Sequence, residues 1–504
     1  MAIRVRVRST VFIIPLALAI GTTGPASAST TSARPPNVLL IVADDLGWKD
    51  VGYHGSEIET PNIDRIASAG LELDRMYVQP TCSPTRAALM TGKSPLRLGV
   101  LTPISKHSPH GLPIDETLLP EFFRNAGYQT FMSGKWHLGH HEKRYLPHNR
   151  GFDHFYGHVT GGIGYWNHNH GGRHDWQRNG RTVREEGYAT TLITDEALKL
   201  LRERDRAKPT FLYVAYNAPH LPNEAPEQTI AKYSGIENPL RRIHAAMVDE
   251  LDRSIGRLLT ALDAEGMRED TIVWFVSDNG GLNRQVNPPF ILGLVDTLVS
   301  VFGRPLPTAT LEFLRHNVED GASDNTPLRG GKMTVYEGGT RVPGAIWWPG
   351  QLEGGRSQAF VSVSDMLPTL LDAAGLAGNI PADLDGQSRW RTLVDGSETD
   401  AHSDYAVTAP GGLAYYRGPW KLVIPHSLLP FGDPPPELYH IWDDPTEATD
   451  LAQTHAELVD ELVAAAEAMP RGPSVHGSLL TVLRDPDRFG GPEGREKPWA
   501  EAAK

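Results

Sequence analysis

Residues 37–45 read "NVLLIVADD", an apolar run that stops on two aspartates. A hydrophobic stretch of this length, without alternation, fits a strand buried on both faces of a parallel sheet. The same construction recurs along the chain. "TIVWFVSDN" (271–279) ends on Asp278 and Asn279, "TFLYVAYN" (210–217) leads to Pro219 and His220, and "GYQTFMSG" (127–134) runs into Lys135, Trp136 and His137. Helical patterns lie between these runs: "TPNIDRIASAGLEL", "TLLPEFFRNAG" and "IHAAMVDELDRSIGRLLTALDAEG", the last with Gly266 as its stop signal. Thr60, Pro61 and Asp64 mark a helix start, with Thr60 expected as the cap and Asp64 closing a capping box. Strand alternating with helix predicts an α/β fold, and sites in open parallel sheets gather beyond the carboxyl ends of the strands. The four polar clusters are therefore expected on one rim.

The chain has 504 residues, 40% of them hydrophobic and 22% charged, which supplies a sizeable core and excludes wholesale disorder. That length accommodates two to four domains, or one large α/β domain with a smaller companion. Arg4, Arg6 and Arg8, the apolar stretch Val11–Ile20 and the small residues Ala26-Ser27-Ala28 predict a secretory signal peptide over 1–28, followed by a leader over 29–36. Ten apolar residues are too few to cross a bilayer, so no integral membrane span is expected; a short membrane anchor is the alternative reading. Export would end in a periplasm or outside the cell. The formal net charge of −13 gives no general field for nucleic acid or anionic lipid. Positive charge for an anionic substrate must be local.

Past about residue 395 the rhythm changes. "DYAVTAPGGLAYYRGPWKLVIP" predicts β-hairpin strands, "ELYHIWDDPTEATDLA" a further strand and turn, and "HAELVDELVAAAEAM" a helix. The expected organisation is a large domain over 37–395 with an insertion at 283–326, a smaller α+β domain with an antiparallel sheet over 396–475, and a tail over 476–504. Within the insertion, "FILGLVDTLVSVF" places Ile291, Leu294, Val295, Leu298 and Phe302 on one helical face. A lid or flanking helix is expected there, with a dimer contact or membrane-surface helix as the alternative.

"TCSPTRAALMTGK" (81–93) holds the only cysteine. Ser83 is expected as N-cap and Pro84 as the first helical residue, with a stop near Gly92. Cys82 then lies just outside a helix N-terminus, whose free N–H groups favour an anion, and Arg86 stands in the first turn against the dipole. A single cysteine makes no internal disulfide. It is a buried bystander, an intermolecular bridge or a reactive group. Asp44, Asp45, Asp278 and Asn279 offer only oxygen, which suits Ca²⁺ or Mg²⁺; strand-end caps are the plainer alternative. Lys135, His137, His220 and Lys332 each also have an ordinary reading as loop charges or packed histidines.

The spacing C-x-P-x-R, extended to "CSPTRAALMTGK", resembles the signature of type I sulfatases, with Thr85 where many members have serine. "NVLLIVADDLGWKDVGYHG", "GKWHLG", "APH", "SDNGG", "PLRGGKMTVYEGGTRVP" and "SDMLPTLLDAAG" resemble family blocks in family order. "LPHNRGFDHFYG" is most similar to the arylsulfatase B (N-acetylgalactosamine 4-sulfatase) branch. The resemblance implies an alkaline-phosphatase-like large mixed, mostly parallel sheet flanked by helices. It implies that a maturation enzyme converts Cys82 to formylglycine (3-oxoalanine), and that one Ca²⁺ is held by Asp44, Asp45, Asp278, Asn279 and residue 82. It further implies that Arg86 and Lys135 hold the aldehyde hydrate and that Lys135 with Lys332 grips the sulfate. His220, alone or with Lys332, would protonate the leaving oxygen, and His137 would take the proton of the second hydroxyl as sulfate departs. The implied substrates are aryl or carbohydrate sulfate monoesters, with a hexosamine 4-sulfate favoured. Three rivals stand beside this: a phosphonate or phosphate ester hydrolase of the same superfamily, a non-catalytic sulfate-binding relative, and a structural or adhesion protein.

"HVTGGIGYWNHNHGGRHDW" (158–176) carries His158, His168, His170 and His174 among glycines and aromatics. A pocket wall is expected, with Tyr165, Trp166 and His168 available to stack on a ring; a zinc site is the alternative.

Overall fold

Strand β1 (Asn37–Ala43) has parallel partners on both sides, β9 (Thr210–Ala215) and β10 (Thr271–Ser277). Its unbroken apolar run follows from that position. Val38, Leu40 and Val42 feed one hydrophobic cluster, whereas Leu39, Ile41 and Ala43 feed another on the opposite face. Fully burying each such aliphatic side chain contributes roughly 1.5–3 kcal/mol. Helices Cys82–Thr91, Leu119–Asn125 and Met366–Ala373 cover the first face; Pro61–Ala69, Ala189–Glu203 and Pro239–Ala264 cover the second.

The computed structural model describes residues 34–106, 108–170, 173–283, 322–396, 404–426 and 432–475. The expected signal peptide, most of the leader and of the insertion, including its amphipathic stretch, and the whole tail from residue 476 lie outside them. Besides β1, β9 and β10, the large sheet contains β2 (Leu71–Tyr77), β3 (Gln129–Lys135), β4 (His154–His158), β7 (Gln177–Arg178), β8 (Arg181–Thr182), β11 (Gly344–Trp347) and β12 (Gly355–Ser362). Its order is β12-β2-β11-β10-β1-β9-β3-β4-β7-β8. The central block from β10 to β4 is parallel throughout, and β11, β7 and β8 supply the antiparallel pairs. β5 (Asn169–His170) and β6 (Arg173–His174) form a separate two-residue ladder. Among the described residues, no helix is long and apolar enough to cross a membrane.

An antiparallel sheet of β13 (Tyr405–Ala409), β14 (Gly412–Arg417), β15 (Trp420–Pro425) and β16 (Glu437–His440) follows, as the change of rhythm predicts. One face packs Val407, Tyr416 and Tyr439 with Tyr77, Val335 and Phe360; the other is covered by helix Ala456–Ala468 through Val459 and Leu462. Between the sheets lies a fully buried charge cluster. The Lys421 ammonium is 3.0 Å from Glu337 and 2.7 Å from Glu447. Glu337 also accepts from the Tyr77 hydroxyl at 2.7 Å, and the Glu337 N–H donates to Glu447 at 2.8 Å. This cluster fixes the turn Glu337–Thr340, five residues beyond Lys332.

Two helix starts differ from expectation. The helix at Pro61 begins where the sequence places it, but the Thr60 side chain bonds Asp64 and accepts from Gly52 N–H instead of capping. Asp252, from the long neighbouring helix, accepts from the Asn62 and Ile63 N–H groups at 2.9 and 2.8 Å. The helix at the cysteine starts at Cys82 itself, with Thr81 as cap residue, so Pro84 is its third residue and Arg86 lies past the first turn. The Ser83 hydroxyl is engaged elsewhere: it donates to the His137 carbonyl at 2.8 Å and accepts from Ile104 N–H at 3.0 Å. Long-range partners outcompeted the local cap in both cases.

Lys421→Met would leave Glu447 buried without its cation and Glu337 with only Arg341, at 3.9 Å. A loss of about 3–5 kcal/mol is expected, measurable as a lowered urea midpoint at unchanged slope.

Candidate active site

The register aligns the ends of four neighbouring strands: Ala43 faces Ser277, Val42 faces Ala215, and Ala215 faces Gly134. The next residues of each strand therefore meet on one rim. β1 delivers Asp44 and Asp45, β10 delivers Asp278 and Asn279, β3 ends in Lys135 ahead of His137, and β9 leads to His220. Asp44 N–H donates to the Ala218 carbonyl and Asp278 N–H to the Ala43 carbonyl, both at 3.0 Å, which locks adjacent strand ends together.

Every sequence-expected site residue is brought to this rim. Ligand atoms of Asp44, Asp45, Cys82 and His220 lie within 4.8 Å of one another. Lys135 Nζ is 2.6 Å from Asp44 Oδ2, and Lys332 Nζ is 2.6 Å from Asp45 Oδ2. Arg86 grips Asp278 Oδ2 through Nε at 3.0 Å and Nη2 at 2.8 Å, and donates from Nη1 to the Lys135 carbonyl at 2.8 Å. Asp278 Oδ1 accepts from Asp45 N–H at 3.3 Å, and Asn279 Nδ2 donates to Asp45 Oδ1 at 2.7 Å. Lys332 arrives on a returning loop whose backbone is tied to Gly281 and Pro80. Asp45, His137 and Met333, beside Lys332, hold positive φ values of 68°, 59° and 69°. Residues other than glycine are uncommon there, and such strain persists only where surrounding contacts enforce it.

Burial and charge set the protonation states. Burial works against the Asp45 carboxylate, but Lys332, His220 and Lys135 outweigh it and hold Asp45 well below the usual range. Burial pushes Asp278 up to about 6, with Asp44 adding to the rise and Arg86 opposing it. Burial also pushes the Cys82 thiol up to about 12, against Lys135 and Lys332. His220 is lowered to about 3 by burial and then by Lys332; His137 is lowered by burial, Lys135 and Arg86. Lys332 is raised, because Asp45 more than offsets its burial. The histidine tautomers follow from their partners, since a carbonyl only accepts. His137 Nε2 faces the Ile104 carbonyl at 3.1 Å and so carries the proton, leaving Nδ1 as a buried acceptor without a hydrogen bond. His220 Nδ1 donates to the Leu221 carbonyl at 2.6 Å, and its Nε2 points at Asp45 from 3.7 Å.

The donor set fits a hard divalent cation. Asp44 Oδ1 and Asn279 Oδ1 are buried acceptors without a hydrogen-bond partner, beside the other oxygens of Asp45 and Asp278. The charge differs from what the oxygen ligands alone imply. Three carboxylates by themselves would leave a +2 ion in a negative shell. Here each carboxylate is paired with a cation, so a bound dication makes the cluster net positive and receptive to an anion.

The segment 158–176 departs from its expected role. The Tyr165 hydroxyl donates to the Asn217 and His220 carbonyls, so its buried ring supports the site rather than stacking on a ligand. His168 is buried against Trp176, whereas Trp166 is 49% exposed, its ring tilted against Tyr188 at 5.1 Å. Among the described residues these histidines form no metal-binding group. Gly161 and Gly162 lie against the site histidines: an added Cβ would come within 2.8 Å of the His137 ring and 2.7 Å of the His220 ring. Tyr213, whose hydroxyl lies 3.4 Å from Arg86 Nη1, was not legible as a site residue. It falls inside an apolar strand and carries no spacing signal.

A sulfatase family model matches residues 36–376. Arylsulfatase J of Mus musculus is 35% identical over 381 residues, spanning 73% of this chain and 57% of that relative. N-acetylgalactosamine-6-sulfatase of Homo sapiens is 33% identical over 408 residues, spanning 76% of this chain and 69% of the relative. Among solved structures, Ps i-CgsB in complex with k-i-k-neocarrahexaose has a TM-score of 0.76 at 29% identity, covering 91% of this chain and 99% of its own. The large mixed sheet with its small antiparallel companion is the alkaline-phosphatase-like α/β arrangement.

If the orphaned oxygens hold a cation, millimolar Ca²⁺ should raise the thermal unfolding midpoint and chelation should lower it. The gain is about 2.7 kcal/mol at a hundredfold excess over Kd, and Asn279→Ala should shrink it. Scanning calorimetry with Ca²⁺, Mg²⁺ and EDTA checks this; a midpoint indifferent to all three would refute the metal reading.

Proposed function

The chain belongs to the sulfatase family, and from that premise we propose that it hydrolyses carbohydrate sulfate monoesters, with aryl sulfates as surrogate substrates. The observation that carries the reading is the seat of Cys82: a lone thiol, 2% exposed, within 4.8 Å of the ligand atoms of Asp44, Asp45 and His220, with each of the two carboxylates paired to a lysine. The thiol itself is a poor nucleophile, because its raised pKa keeps it protonated near neutrality. Conversion of Cys82 to formylglycine by a maturation enzyme would supply a hydroxyl nucleophile through the aldehyde hydrate. Ca²⁺, held by Asp44, Asp45, Asp278, Asn279 and residue 82, would supply fixed positive charge facing the sulfate oxygens.

The chain's own residues do the rest. Lys135 and Lys332 bring ammonium groups to Asp44 and Asp45, the carboxylates grouped with residue 82, and would stabilise charge on the sulfate oxygens. Arg86 fixes Asp278 and the Lys135 backbone, which keeps the strand ends in register. His137 Nδ1 holds a lone pair ready for a proton. His220 Nε2 and Lys332 both lie against Asp45, which supports His220 as the proton donor to the leaving oxygen; an incoming anion would favour its protonated form. The names of the relatives, with hexosamine sulfatases among them, and the glycan in the Ps i-CgsB structure support a sulfated saccharide as substrate. The basic, apolar and small-residue pattern of residues 1–28 supports export.

Initial rates on 4-nitrophenyl sulfate, phosphate and phosphonate esters test the reaction class. Sulfate should lead, and Cys82→Ala should lower its turnover at least about a thousandfold. A leading phosphonate rate would move the enzyme to the rival hydrolase class, and an unaltered Cys82 thiol in active protein would remove the proposed nucleophile. His220→Ala should cost about a hundredfold in kcat/KM on a sugar sulfate and far less on 4-nitrophenyl sulfate, whose leaving group needs no proton. Equal losses on both substrates would take His220 out of the acid role.

A further inference from the structure

Lys332 reaches the rim from a loop, so the place of its ammonium depends on how that loop's backbone is held. Its N–H donates to the Gly281 carbonyl at 3.1 Å, and the next residue, Met333, donates to the Pro80 carbonyl at 2.8 Å. Gly281 has no side chain to hold it, and none would fit. An added Cβ would come within 1.6 Å of Ser323 Oγ and 3.0 Å of Gly47 Cα. Asn325 supplies the hold instead. Its Oδ1 accepts from Gly281 N–H at 2.9 Å, and its Nδ2 donates to the Gly281 carbonyl at 2.8 Å and the Gly330 carbonyl at 3.3 Å. The carboxamide thus pairs with Gly281 as a neighbouring peptide group would, and the same Gly281 carbonyl receives Lys332 N–H.

Asn325 is 1% exposed, and the residues before it are anchored in turn. Asp50 accepts from Asp324 N–H at 3.1 Å and from the Ser323 hydroxyl, and is paired with Arg241 and His244 of the long helix Pro239–Ala264. An amide side chain carries donor and acceptor on one planar group, whereas a carboxylate only accepts and a methyl does neither. Without the amide, a buried N–H and a buried carbonyl at Gly281 lose partners, and the backbone must shift to recover them. Lys332 Nζ meets Asp45 Oδ2 at 2.6 Å, and a displacement of about 1 Å would break that contact and cost up to about a hundredfold in rate. Resting on the role given above to Lys332, we propose that Asn325 is a positioning residue for sulfate-ester hydrolysis: through Gly281 it sets the backbone from which Lys332 reaches Asp45 and the substrate.

The test is a double-mutant cycle of Asn325→Ala and Lys332→Ala in full-length, matured protein at saturating Ca²⁺. The readout is kcat/KM on 4-nitrophenyl sulfate, taken below the unfolding midpoint of every variant. Asn325→Ala should lower it about thirtyfold in the parental background and less than about threefold where Lys332 is already alanine. A merely structural role would lower the unfolding midpoint yet give the same factor in both backgrounds. Equal factors therefore overturn the proposal and leave the role of Lys332 intact, whereas a fully active Lys332→Ala variant overturns both. Asn325→Asp keeps the size and an acceptor but loses the donor, and takes the place of the alanine variant in the cycle should that one not fold. It should fall as far, and parental kcat/KM in Asn325→Asp overturns the proposal.

Discussion

Three buried ion pairs hold the rim together: Asp44 with Lys135, Asp45 with Lys332, and Asp278 with Arg86. A charge taken out of water alone costs several kcal/mol, and a pair repays this only when its geometry is good and remaining valences are bonded. The rim meets that condition. Arg86 uses two nitrogens on Asp278 and a third on a backbone carbonyl, and Asn279 bonds Asp45. Because three negative groups meet three positive ones, the cluster is neutral before any ion or substrate binds. It can form as the strands assemble, and a dication bound there would add charge to a framework already in place.

The framework is rigid for reasons that lie in the sheet. Parallel pairing from β10 to β4 sets the strand ends level, and a one-residue slip would exchange the two buried faces of a strand and carry its polar end out of line with its neighbours. The second cationic loop, with Lys332, does not belong to that block. Its position depends on backbone bonds to Gly281 and Pro80, and on the turn after it that Lys421 pins from the small sheet. The small sheet thus bears on the site without contributing a residue to the rim. The glycines at 161 and 162 bring a further segment into contact with both histidines.

Much of this was legible in the order of residues. The runs at 37–43 and 271–277 have no polar face, which only a strand covered on both sides tolerates, and both proved central. Local signals fared less well. Ser83 has the chemistry of a cap, yet its hydroxyl serves the His137 and Ile104 backbone. Tyr165 and His168 have the chemistry of stacking rings, yet burial commits them to the scaffold. In each case a contact distant in sequence replaced the local option, and propensity carries no information about such contacts.

Sequence by itself determined the class of fold, the strand ends at which polar groups emerge, and the residue types available there, because hydrophobic period and chain order are local properties. Only the tertiary structure decided which acid meets which base. The partners are 91, 192 and 287 residues apart, joined by crossovers and a returning loop that no spacing rule encodes. That pairing converts a set of carboxylates, negative when counted along the chain, into a neutral seat that becomes positive with a bound dication, since Coulomb energy depends on distances through space.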